Sequence, residues 1–94
     1  MLELQQSIIK KALSPNRKII CSYKGVRIAL TGKQIEVLKL VAKGFSNSRI
    51  SQQLKTKEPT LKLQIYRLMK YLESNILENI DRFYLVVIAQ QIEL

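Results

Sequence analysis

From residue 31 onward the apolar positions recur at intervals of three and four, the period of a helix that buries one stripe. The first stripe is Ile35, Leu38, Val41 and Ala42, with Lys33, Gln34, Glu36, Lys39 and Lys43 turned outward. Thr31 stands where an N-cap belongs and Gly44 where such a helix ends. Ser46 caps a second, shorter helix, in which Ile50 and Leu54 lie four apart. Ser51 falls between them on the inner side and is small enough to let two helices cross closely. A third helix is predicted over 58–72, with Pro59 in its first turn, where a missing N–H does no harm. Leu61, Ile65, Leu68 and Leu72 form its buried seam, and Lys62, Leu63, Tyr66, Arg67 and Lys70 its other side. Residues 75–81 read as a connection. In the last element, 82–94, Leu85, Val86, Ile88, Ala89 and Ile92 support a helix, while the β-branched Val86-Val87-Ile88 keeps a strand open.

Upstream of this block, Leu2 to Leu13 has near-helical spacing and is stopped by Ser14-Pro15-Asn16. Lys18 to Ser22 and Gly25 to Leu30 are β-prone runs joined at Tyr23-Lys24-Gly25. They form either a short β-hairpin or an extended linker, because a lone two-stranded ribbon is marginal in water. The expected fold class is mainly α: a helix-turn-helix bundle of about four helices, preceded by an N-terminal helix and a possible short hairpin. Residues 1–29 are expected to form this extension and residues 30–94 the domain proper.

Charge adds a second pattern. The 94 residues carry 16 Lys plus Arg against 7 Asp plus Glu, a net charge of +9. Between Leu4 and Lys57 stand twelve cations and one acid, Glu36, whereas Glu73 to Leu94 holds four acids and only Arg82. Two surfaces with different tasks follow, one of them suited to a polyanion. The sequence contains no histidine and a single cysteine, which excludes a Cys/His zinc cage and an internal disulfide and removes the commonest proton carrier. No Gly-rich phosphate loop occurs and the carboxylates are scattered, so an enzyme, a cofactor and a small-molecule substrate are not expected. The longest apolar run, Phe83 to Ala89, is far too short to span a bilayer, and Met1 to Gln6 lacks a secretory lead. A cytoplasmic protein without membrane contact is the expectation.

Two helices joined by a few residues and preceded by a supporting helix define helix-turn-helix geometry. The second helix of such a pair fits a major groove roughly 12 Å wide. An ordinary helical bundle has the same periodicity. Against it, the exposed side of the third helix has no acid between Thr60 and Lys70.

Leu30-Thr31, the run Glu36 to Asn47, and then Ile50, Leu54, Thr60, Lys62 and Leu72 resemble the LuxR/NarL (GerE-type) DNA-binding domain. Arg82, Leu85, Val86, Ala89 and Leu94 are similar to that family's fourth helix after a slightly lengthened loop, so the resemblance spans 30–94, about two thirds of the chain. It implies a bacterial transcription regulator that binds double-stranded DNA. It places Lys62, Leu63 and Tyr66 at base edges, where a lysine can donate to guanine O6 or N7 and a leucine can pack on a thymine methyl. It places Ser46, Lys57, Thr60, Gln64, Arg67 and Lys70 at phosphates, which set position rather than sequence. The chain departs from the family's usual residues at Arg49, normally acidic, at Lys57, normally Ser, and at Gln64, normally His.

The resemblance also implies a homodimer through Leu85, Val86, Ile88, Ala89 and Ile92, although these residues equally suit the protomer's own core. Cys21 is read as a small buried hydrophobe, with a redox switch as the minority reading. Two competing architectures remain. An OmpR-like winged helix would turn residues 23–31 into strands and residues 82–92 into a wing strand. A helical module binding another regulator or RNA polymerase would keep the helices without DNA affinity of its own.

Overall fold

The computed structural model describes residues 18–92. The helix expected over 2–13 lies outside them. The chain enters through strand β1 (Lys18–Tyr23) and returns through β2 (Val26–Thr31), paired antiparallel from Lys18↔Thr31 to Tyr23↔Val26. Lys24 and Gly25 turn the hairpin with φ of 49° and 80°. Two successive left-handed residues give a turn whose twist matches the strands, and glycine takes the second at no steric cost.

The hairpin forms, and the linker reading falls, because the ribbon is not alone. Cys21, Tyr23, Ile28 and Leu30 on its inner face are buried in the core shared with the helices. The Ala29 N–H, on the edge of β2 away from β1, donates to the Tyr71 hydroxyl at 2.9 Å. Tyr23, near the tip, lies beside the Tyr84 hydroxyl. Cys21, Tyr23 and Ile28 of the hairpin therefore belong to the same core as the helices.

Helix α1 (Gly32–Ala42) starts on a complete capping box: Thr31 Oγ1 accepts from the Gln34 N–H at 3.1 Å, and Gln34 Oε1 accepts from the Thr31 N–H at 2.9 Å. Gly44, at φ 81°, donates to the Val41 carbonyl at 2.9 Å and closes the helix. Helix α2 (Asn47–Leu54) is capped by Ser46, whose Oγ accepts from the Arg49 N–H at 3.2 Å. Inside it Ser51 is buried and donates to the Ser48 carbonyl at 2.7 Å.

Helix α3 (Glu58–Ile76) runs a turn longer than the expected 58–72. Nothing between Glu73 and Ile76 breaks it. Ser74 and Asn75 direct their side chains back to the carbonyls of Lys70 and Tyr71, and half-buried Ile76 prolongs the seam. The connection therefore begins at Leu77, in the left-handed region at φ 65°. Glu73 fastens it by accepting the Ile80 N–H at 2.7 Å, with Ile80 buried.

Helix α4 (Arg82–Gln91) begins at Asp81, whose carboxylate accepts the Tyr84 N–H at 2.7 Å. The segment is a helix, so the wing strand of the OmpR-like alternative is absent from it. α4 packs chiefly on α1, and its Gln90 amide donates to the Ala42 carbonyl at 3.0 Å. Leu61, Leu68, Leu72, Leu85, Ile88, Ile50 and Val41 make the fully buried centre. The described residues are thus mainly α, four helices bundled with a two-stranded ribbon on their N-terminal side.

Candidate nucleic-acid interface

The seam of α3 faces inward completely: Leu61, Ile65, Leu68 and Leu72 are all buried. What this orientation leaves outside is fixed by helical geometry. Lys62, Leu63, Tyr66, Arg67 and Lys70 are exposed, with Leu63 at 47% and Tyr66 at 57%. Two large, partly apolar side chains held in water among cations make a surface that gains by covering them. The Lys70 ammonium lies 5.5 Å from the Tyr66 ring centre and 3.3 Å from a Glu73 oxygen. An exposed pair of this kind is weak, so it orients Lys70 without cancelling its charge for a stronger anion.

The start of α3 suits an anion as well. Lys57 occupies the N-cap in extended conformation and gives no side-chain cap. Pro59 has no N–H, so the free donors there are few, but the Thr60 N–H precedes the first intrahelical bond, made by Leu61 to the Lys57 carbonyl at 3.0 Å. Lys57 and Thr60 are exposed beside the positive end of the helix dipole. Exposed Ser46 stands at the N-terminus of α2. Its oxygen is taken as a cap, which leaves the O–H free to donate.

Gln64 sits at the border of this face. It is half-buried, and its Oε1 is fully buried with no hydrogen-bond partner among the described residues. It lines a cleft of about 200 Å³ between α1 and α3 with Thr31, Lys33, Gln34, Val37, Arg67 and Leu68. Gln64, which the resemblance sets at a phosphate, thus lies where α3 faces α1, at the edge of the exposed face and in the same cleft as Arg67. Lys33, on the outward side of α1 in the sequence pattern, joins Arg67 at this cleft.

The connection between α1 and α2 is held from a distance. Arg82, at the head of α4, donates through Nη1 to Asn47 Oδ1 and through Nη2 to the Phe45 carbonyl at 2.9 Å. Burial pulls its pKa below the usual arginine value. Arg49 covers the Phe45 ring at 4.0 Å. The one sequence signal for the first of these roles was a lone cation opening an otherwise acidic, apolar segment.

Burial bears on two further expectations. Leu85 and Ile88, expected at a dimer interface, are fully buried within the protomer and act as its core. Val86, Ala89 and Ile92 are half-buried on α4, and Phe83 is 78% exposed. Cys21 is buried, its thiol donates to the Ile28 carbonyl at 3.3 Å, and burial pushes its pKa up. A reactive thiol needs access and a lowered pKa, so the redox reading loses its support. Among the described residues no cluster of metal ligands occurs, and no helix is long and apolar enough to cross a membrane.

A capped scaffold helix, a short helix and a long helix with a cationic outer face define a helix-turn-helix protein of the DNA-binding class. A family model for the bacterial regulatory proteins of the luxR family (GerE) matches residues 29–80. The chain belongs to that family, which consists of DNA-binding transcription regulators and not of enzymes. α4 lies beyond the matched segment. No curated protein and no solved structure matches the chain.

Proposed function

We propose that this regulator reads duplex DNA by inserting the exposed face of α3 into the major groove, as a cytoplasmic homodimer. The carrying observation is the side of α3 that meets solvent: Lys62, Leu63, Tyr66, Arg67 and Lys70, with no acid among them. Lys62, Leu63 and Tyr66 meet base edges. Lys57, Thr60, Arg67, Lys70 and the Ser46 hydroxyl hold phosphates on either side. The dimer uses the surface of α4 formed by Phe83, Val86, Ala89 and Ile92, which places two recognition helices about one turn of DNA apart, some 34 Å.

The division of labour is testable. Lys62→Ala should cost about 1 to 3 kcal/mol on the selected site and relax preference at one base pair per half-site. Arg67→Ala should weaken selected and random duplexes alike. Equal losses on both kinds of DNA for both variants would refute it.

A further inference from the structure

We infer that the hairpin and the first turn of α1 carry a second backbone-binding strip, made of Lys18 and Lys33 and continuous with Arg67 of α3. It takes the phosphodiester backbone flanking the base pairs that α3 reads. The inference rests on the proposed insertion of α3 into DNA and extends it to an element outside the helix-turn-helix.

The placement follows from three contacts. The cleft beside α3 is lined by Lys33 and Thr31 on one wall and by Arg67 on the other, so α1 brings its cation to the flank of the recognition helix. Lys18 pairs with Thr31 across the base of the hairpin, which extends the same line by one strand. The hairpin is tied to α3 by the bond from the Ala29 N–H to the Tyr71 hydroxyl, so the strip is positioned with the reading helix and needs no separate docking. Electrostatics select the occupant. The hairpin carries Lys18, Lys24 and Arg27 and no acid. Lys33 and Arg67 form no salt bridge among the described residues. Cations spaced along a ridge match a charge repeat of one phosphate per strand every 3.4 Å or so.

Lys24 supplies the control. It is exposed like Lys18, but it sits at the far tip, its ammonium 5.5 Å from the Tyr23 ring centre, at the end that meets Tyr84 of α4.

The experiment is a salt titration of binding to a 20-base-pair random-sequence duplex by the full chain and three variants. The double variant Lys18→Gln/Lys33→Gln should lower the steepness of log K against log salt by about 2 per bound protomer. Lys18→Arg/Lys33→Arg should keep the wild-type slope, which separates loss of charge from loss of fold. Lys24→Gln should leave the slope unchanged. An unchanged slope in the Gln double variant, or an equal loss per charge in Lys24→Gln, overturns the strip while the α3 reading stands. A wild-type slope near zero instead overturns DNA binding itself.

Discussion

Arg82 joins the fourth helix to the turn that sets the angle between α1 and α2, and its removal tests whether that joint is structural. Arg82→Ala deletes the donor to Asn47 and the donor at 2.9 Å from the Phe45 carbonyl. Hydrogen bonds from a charged donor contribute about 1.5 to 3 kcal/mol each when buried. Arg82 is only half-buried, so the low end applies and the pair amounts to about 2 to 3 kcal/mol. For a domain of this size each kcal/mol moves the melting midpoint by roughly 4 to 8 °C. The expected drop is therefore on the order of 10 to 20 °C, read by circular dichroism or calorimetry. Arg82→Lys keeps the charge but not the fork, and should recover about half of the loss. A loss below about 0.5 kcal/mol in the alanine variant, the range of ordinary surface substitutions, would refute the reasoning, as would a lysine variant as stable as wild type.

Three other perturbations separate stability from binding. Lys57→Ser gives α3 the side-chain cap it lacks, so the protein should gain about 0.5 to 1 kcal/mol in denaturant titration, yet its DNA affinity should fall and its salt slope shrink by about 1 per protomer. Leu77→Gly removes a side chain that is 85% exposed from a left-handed φ of 65°, and should raise stability by about 1 kcal/mol in the same assay. The Ile80 N–H, aided by Lys70, holds the Glu73 carboxyl below its ordinary pKa. Its stabilising effect is accordingly complete above the unfolded value of about 4.3 and is lost as pH falls through the lower folded value. Melting midpoints of wild type should decline more steeply than those of Glu73→Gln below about pH 4.5, and parallel curves would contradict the assignment.

Much of this architecture was legible because it is local. The four seam residues of α3 are spaced four, three and four apart and all are buried, as a single helical stripe requires. Thr31 and Ser46 cap the helices they precede, for a reason contained in their own side chains. The end of α3 is less legible because the apolar seam stops at Leu72, whereas Ser74 and Asn75 bond back along the helix and carry it on to Ile76. Long-range features were out of reach. The hairpin depends on a hydroxyl 42 positions away from Ala29, and the Arg82 fork on partners 35 and 37 positions away. Periodicity also cannot tell a protomer's own core from a partner's surface, which is why Leu85 and Ile88 suit either an interface or the core in the sequence alone. Gln64 shows a related limit: periodicity does not say toward which neighbour a polar residue at the border of a stripe turns, and here it faces α1.

The central claim is that duplex DNA is met by the outer face of α3. It is tested most directly by recording backbone amide resonances of the full chain while a duplex is added. The account predicts that the largest shifts fall on residues 57–70, centred on Lys62, Leu63 and Tyr66. Shifts that leave this stretch untouched, whether they gather elsewhere or fail to appear at saturating DNA, would contradict it.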